Sequence, residues 1–576
     1  MVRGGSGTRR KSWGKRHNFT IGVDGAIRRA STGESRYRRF GDDQPKHQIR
    51  PDHWVPNAGP TESEVDRNAI MDSMAFRRLM GVTQVVSPDL DSPYLNTRYS
   101  HSLKVGELSR FIAERLIRNA DIDGNDSRDI AKMSARDCIK KFGGIDPVAC
   151  EAAGLAHDLG HPPFGHIGEQ VLDESLRHYG VKDGFEGNAQ TFRILTVLEG
   201  QVSREGDSLG DNRGLGLSAL VRCAVLKYPW TRLAAPEQAQ RQNFVKFCVY
   251  ESEYDVFADA RSGISLPPPD QTQSLEASIM DVADDIAYSF HDLEDFIRIG
   301  VIDNTVLSAL DAWHDAINRD HNRNRFIRDV DNFRDLLSGF SEADTDEQKQ
   351  EAEKRLNNFT TDIVESSNAF TRAAFRLARS PYFDATRWLR AIDGIEDNFR
   401  WLLKAPTVSV LRSLIALKQQ EVIDNIIYHD GGVWSGGPWV SLAQDEWHDV
   451  EAYKLVTQDF VHASPRVSLV QQAQRQSIQS LFDGLVQWCV DGPQVNQLPT
   501  RLKEILQGAG IGRRTPKIEV PEDRSISAEP LEIESEQYRT LRGISDYICS
   551  LTDYECHQRS AWLRGLEVPG ISRVLP

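Results

Sequence analysis

Apolar residues recur at helical spacing through most of this chain, with the polar positions gathered on separate faces. Val148, Ala152, Leu155 and Ala156 predict one buried helix. It starts after Asp146-Pro147, because a proline in the first helical turn loses no hydrogen bond. It should run to about His157-Asp158 and break at Gly160 or Pro162-Pro163. Val105, Leu108, Ile112 and Leu116 share a face of a second helix within TRYSHSLKVGELSRFIAERLI, and His101 lies one turn before Val105 on that face. A third helix, LEASIMDVADDIAYSFHDLEDF, has Leu275, Ile279, Val282, Ile286 and Leu293 as its apolar side. Asp284, Tyr288 and Asp292 make a separate polar stripe along it.

Glu64 to Val86 reads as a helix running into an extended segment that carries Thr83-Gln84. Turn residues mark the loops 87–96 and 262–273, and FEGNAQ (185–190) is a short polar break. VLKYPW (225–230) should end an apolar helix, placing Lys227 and Tyr228 just before Pro229. FVKFCVYESE (244–253), with Lys246, has the composition of a strand. From about 300 to 400 the chain is charged and helix-prone, with no recognisable chemistry. HDGGVWSGGPWV (429–440) reads as a loop. Helical patterning then resumes to Gln507, a polar linker follows through Pro530, and SEQYRTLRGISDYICSLTDYECHQ reads as the last helix. No internal repeat is present.

Composition narrows the class. A chain of 576 residues exceeds the size at which single cores stop growing, so more than one subdomain is expected. Hydrophobic content of 39% with 27% charged residues fits a soluble globular protein. No apolar run reaches the roughly 18 residues of a membrane span, and the N-terminal MVRGGSGTRRKSWGKRHNF lacks the apolar core of a secretory signal. Seven scattered cysteines, never as CxxC, point to reduced thiols in a cytoplasmic protein. The net charge of −15 is uneven: residues 1–50 hold 13 Lys/Arg against 4 Asp/Glu, so the remainder carries −24. A basic arm on an acidic body suggests contact with a polyanion such as single-stranded DNA, or docking on the protein's own acidic surface.

The chemistry concentrates in EAAGLAHDLGHPPFGHIGEQ (151–170), where His157, Asp158, His161, His166 and Glu169 lie around one stiff turn. A His-Asp pair alone means little, since it recurs at 291, 314, 429 and 448; the whole stretch is another matter. Two imidazoles and two carboxylates, His101, His157, Asp158 and Asp284, suit one divalent cation with positions left open. Mixed nitrogen and oxygen donors suit Mn, Fe, Co, Ni or Zn, with Mg at the hard end. Such an ion polarises a phosphoryl oxygen and lowers the pKa of a bound water. His161 and His166 remain for proton transfer. If the turn at His166 is helical, Glu169 can orient that imidazole and raise its pKa. Arg98, Lys227 and Lys246 supply cations for a phosphate chain. No GxxxxGK[ST] occurs, which argues against a P-loop nucleotidase.

Taken together, Arg98–His101, His157-Asp158, GHPPFGH and ADDIAYSFHDLED resemble the HD superfamily of metal phosphohydrolases. The blocks DRNAIMDSMAFRRLMGVTQVV, FEGNAQ, LKYPW and RGISDYICSLTDYE are similar to those of the deoxyguanosine triphosphate triphosphohydrolases. The resemblance implies an all-α fold: a basic arm (1–50), an HD-domain core (51–300), a charged helical region of unassigned role (301–530) and a C-terminal helix completing the core (531–576). It implies His101, His157, Asp158 and Asp284 as ligands of one divalent ion, Mg or Mn first. His166 and Glu169 are then the catalytic pair, with His161 beside them. Gln84, Tyr288 and Asp292 hold the deoxyribose and nearby phosphate, and Arg98, Lys227 and Lys246, with Tyr228 alongside, face the phosphates. The implied activity is hydrolysis of dNTPs, dGTP preferred, to deoxynucleoside and inorganic triphosphate by a cytoplasmic homo-oligomer, hexamers being common in the family. Val82 before Thr83-Gln84, and FCV before YESE, depart from the family pattern and bear on base preference. The competing readings are another HD phosphohydrolase, acting on nucleoside monophosphates or cyclic nucleotides, and a protein that binds nucleotide or single-stranded DNA without turnover.

Overall fold

The computed structural model describes residues 60–84, 96–122, 134–200, 214–236, 245–266, 271–298, 302–318, 322–341, 345–361, 368–380, 382–405, 407–429, 438–457, 465–490, 494–518 and 529–566. The expected basic arm at 1–50 lies outside the described residues, as do nearly all of the loop 87–96, Pro267 to Pro269, and most of 429–440 and 519–530. Helices dominate what is described, and the fold is all-α. The sheet found there is a hairpin, Ile426–Tyr428 antiparallel to Val440–Leu442 with Ile426 opposite Leu442. No helix among the described residues is long and apolar enough to cross a membrane.

Three helices form the frame. Pro147–Ala156 begins where the Asp146 carboxylate accepts from the N–H groups of Val148 and Ala149, with Pro147 in the first turn as expected. Arg98–Ile122 crosses it closely at two glycines: a Cβ on Gly154 would stand 2.7 Å from the Gly106 nitrogen. This backbone-to-backbone approach brings the rings of His101 and His157 to 5.4 Å between centroids. Leu275–Arg298 packs across both, and Leu275, Ile279, Val282, Ile286 and Leu293 are all buried, as their spacing predicts.

Among the described residues, three large apolar cores and a small fourth cluster surround this frame. Val105, Leu108, Ile112 and Leu116 join one face of Leu275–Arg298 to the helices between 304 and 456, whose buried aromatics include Trp313, Trp388, Phe399 and Tyr453. Ile70, Phe76 and Leu79 pack with Leu155, Leu159, Leu220 and Val249 in a second core. The third unites His166–His178, Pro465–Val490, Thr500–Gly508 and Glu536–Cys549. Glu536–Cys549 is further tied in by Asp546, which accepts from Gln190 and from both Nε and Nη2 of Arg193.

Several elements differ from the expectations. The helix expected from Glu64 is broken: Glu62–Asp72 ends at Ser73, whose extended backbone and hydroxyl cap the separate Met74–Arg78. The last helix is likewise two, Glu536–Cys549 and Asp553–Leu563, because Thr552 and Glu555 form a capping box that starts the second. FVKFCVYESE is not a strand; among the described residues it makes one isolated bridge, Thr231 with Val249. Four consecutive residues are buried: Phe247 and Tyr250 pack with Trp230, Arg542 stacks on Tyr250, and Cys248 and Val249 join the second core beside Tyr228. Lys227 lies beyond the Ala219–Ala224 helix rather than at its end. The stretch expected as a loop at 429–440 ends in structure: Trp439 is buried, donates Nε1–H to the Gln273 carbonyl, and leads into the hairpin.

Candidate active site

His101 sits in the first turn of Arg98–Ile122, His157 caps the C-terminus of Pro147–Ala156, and Asp284 lies within Leu275–Arg298. Their ligand atoms all fall within 4.8 Å of one another. Oδ1 of Asp284 is 3.1 Å from Nε2 of His101 and 3.4 Å from Nε2 of His157. Asp158 borders this trio, with Oδ1 3.4 Å from His157 Nε2, while its Oδ2 accepts from Nη1 of Arg98 at 2.7 Å. Three of the four expected ligands therefore converge, and the fourth stands beside them in an ion pair.

The residues present fit a divalent cation. Nδ1 of His157 donates to the Gly154 carbonyl at 2.7 Å, which turns Nε2 onto the carboxylates, where it binds a proton or, once deprotonated, offers its lone pair to a cation. That Nε2 is buried and has no hydrogen-bond partner among the described residues; its neighbours are carboxylate oxygens, which only accept. Burial opposes charge on His157, but Asp158 and Asp284 outweigh it and raise the imidazole to about 9. Burial likewise disfavours ionised Asp158 and Asp284, yet Arg98 on the first and Lys227 on the second hold both well below the usual carboxylate range. The cluster favours added positive charge.

A second cluster adjoins it. The chain turns at Phe164 (φ 63°) and Gly165 (φ 57°), and His166 opens the next helix. Nδ1 of His166 donates to Oε2 of Glu169 at 2.7 Å, and the N–H of Gly187 donates to Oε1. Burial works against the Glu169 carboxylate, but Lys246 and the hydrogen-bonded His166 keep it ionised. His161 links the clusters, with Nε2 3.5 Å from Asp158 and Nδ1 3.4 Å from Glu169. Burial and then Arg98 push this ring down to about 3, so it is neutral.

The expected cations are all held by carboxylates. Lys227 lies between Asp281 (2.6 Å) and Asp284 (3.2 Å), and Lys246 between Glu186 (2.9 Å) and Glu169 (3.9 Å). Tyr228 is half-buried beside Trp230, its phenol pushed up to about 12 by burial. Tyr288 is half-buried one turn beyond Asp284. Oε1 of Gln84 is buried without a hydrogen-bond partner among the described residues. Asp292 continues the same helix, but its side chain lies outside the described residues. Sequence reasoning passed over Asp281, Glu186 and Asp553. Asp281 precedes Asp284 by one turn and could have been found from that spacing; nothing local marks Asp553, whose partners are hundreds of residues away.

Residues 98–289, from Arg98 through the Asp284 helix, match the HD domain family. The particular resemblance read from the motifs also holds. The chain is 41% identical over 256 residues to "Deoxyguanosinetriphosphate triphosphohydrolase-like protein 2" of Mesorhizobium japonicum, covering 43% of this chain and 48% of the relative. It is 41% identical over 245 residues to the similarly named protein of Corynebacterium glutamicum (42% and 47%) and 36% over 261 residues to that of Bifidobacterium longum (45% and 47%). The chain thus spans about half the length of these relatives.

Proposed function

We propose that this site hydrolyses deoxynucleoside triphosphates, dGTP preferred, to deoxynucleoside and inorganic triphosphate. One observation carries the reading: a cation-fitting trio is joined through Asp158 and His161 to an exposed imidazole with a buried carboxylate behind it. The names of the relatives point to the same substrate class. His101, His157 and Asp284, with Asp158, would hold one divalent ion, Mg or Mn first, which supplies Lewis-acid polarisation of a phosphoryl oxygen. Arg98, Lys227 and Lys246 exchange part of their carboxylate pairing for phosphate oxygens. Gln84, Tyr288 and Asp292 take the sugar. Water attacks the α-phosphorus, the bond from phosphorus to O5′ breaks, and Nε2–H of His166 protonates O5′ while Glu169 stabilises the imidazolium. His161, buried and neutral, holds Asp158 and Glu169 apart.

Seven free, buried cysteines fit a reducing compartment, the cytoplasm. The charge of residues 1–50 supports a single-stranded DNA contact. Deleting them should weaken that binding and flatten its salt dependence while sparing dNTP hydrolysis. The reading itself is tested by incubating the protein with each dNTP and rNTP plus Mg²⁺ or Mn²⁺ and identifying the products. Deoxynucleoside with triphosphate supports it; turnover only of monophosphates or cyclic nucleotides, or binding without turnover, overturns it.

A further inference from the structure

Asp553 opens the Asp553–Leu563 helix, but it does not cap it. Thr552 and Glu555 already satisfy the helix start with a reciprocal pair of hydrogen bonds. The Asp553 carboxylate is buried and turned outward onto two segments distant in sequence. Oδ1 accepts from the N–H of Phe164 at 2.9 Å. Oδ2 accepts from the N–H of Thr83 at 3.0 Å and also from the Thr83 hydroxyl. Each segment is structurally exceptional. Among the described residues, Phe164 is the non-glycine residue with positive φ, and it forms the turn that launches His166. Thr83 bridges to Thr97, immediately before Arg98, and is followed by Gln84.

The surroundings reinforce the same tie. A Cβ on Gly81 would stand 2.6 Å from the Thr552 side chain, so the helix start lies directly on the backbone leading to Thr83. Arg78 donates to the Leu551 carbonyl with one arm and to those of Leu159 and His161 with the other. The His557 ring packs on Phe164 at 4.6 Å. A single carboxylate of the C-terminal helix thus spans the two walls that flank the reacting groups.

We propose that Asp553 is a positioning residue. It sets the separation between Gln84 and the His166–Glu169 pair, and so governs how the sugar sits against the acid that protonates it. This rests on the proposed dNTP reading. Asp553→Asn replaces one acceptor oxygen by an N–H₂ group facing donors, so one wall must come loose and take the other with it. Thr83→Val removes the hydroxyl bond to Asp553 and keeps the backbone one, and Thr83→Ser retains both.

The test combines amide hydrogen exchange at Thr83-Gln84 and Phe164 with kcat and KM for dGTP and GTP in all three variants, alongside metal content. In Asp553→Asn, exchange should quicken at both segments together. kcat/KM for dGTP should fall about 10–100-fold, and the dGTP-to-GTP preference should narrow, with metal retained. Thr83→Val should narrow the preference less, and Thr83→Ser should behave as wild type. Faster exchange at one segment alone, or equal loss on both nucleotides with the preference intact, overturns the proposal. If Asp553→Asn fails to fold, the contrast of Val with Ser at position 83 decides. Should the wild-type protein hydrolyse neither nucleotide, the dNTP reading fails, and the exchange data still decide whether Asp553 couples the two walls.

Discussion

Nδ1 of His166 lies 2.7 Å from Oε2 of Glu169, and the two side chains are 61% and 3% exposed. A buried carboxylate, pinned by the Gly187 amide, therefore orients an imidazole whose other nitrogen faces outward. Gly187 must be glycine for this, since a Cβ there would stand 2.2 Å from Glu169 Oε1. The pair is three residues apart on one helical turn, so local sequence builds it.

From this geometry, His166→Ala should lower the hydrolysis rate by about 10²–10⁴-fold, the usual contribution of a positioned general acid. Metal content and nucleotide affinity should stay near wild type. Steady-state kinetics with elemental analysis checks this; a parallel fall in affinity and metal would make His166 a structural residue.

Asp284 offers one oxygen to both His101 and His157, and its loss should empty the cluster. Asp284→Ala is expected to lose bound divalent metal and activity together. Asp158→Ala should do the same while also leaving the Arg98 guanidinium buried without its partner. Stoichiometric metal with wild-type turnover in either variant would show that the ligands are misassigned.

Much of this site was legible because its pieces are local. His157, Asp158, His161 and His166 share one turn, His101 sits on the apolar face of its helix, and Asp284 begins a polar stripe that helical spacing sets apart. What sequence could not reveal is pairing across distance. Asp281, Asp284 and Asp285 crowd one helix, and only the position of Lys227 distinguishes Asp281 as its partner. Asp553 looks like an ordinary helix-start residue until Thr83 and Phe164 are brought to it. FVKFCVYESE has the composition of a strand because Phe247, Cys248, Val249 and Tyr250 are all buried, shared between two apolar clusters rather than paired along a partner strand among the described residues.

His448 gives a pH signature away from the metal cluster. It is fully buried, its Nε2 accepts from the Asp384 N–H, and its Nδ1 donates to the Gln444 carbonyl, so the fold holds it neutral. Burial lowers its pKa below the ordinary 6.5. The folded state binds this proton less readily than the unfolded chain, so its contribution is complete above about 6.5 and is lost as pH falls through the folded-state value. Thermal melts should show an acid-side loss of stability that His448→Gln, which keeps an acceptor, flattens. An unchanged acid-side slope in that variant would remove His448 as its source.

The central claim is that water attacks the α-phosphorus and His166 protonates the departing sugar oxygen. Hydrolysis of dGTP in ¹⁸O-water, followed by mass spectrometry of the initial products, tests it directly. Label is expected in an intact inorganic triphosphate and none in the deoxynucleoside. Label in the deoxynucleoside, or dGMP with pyrophosphate as the first products, would contradict it.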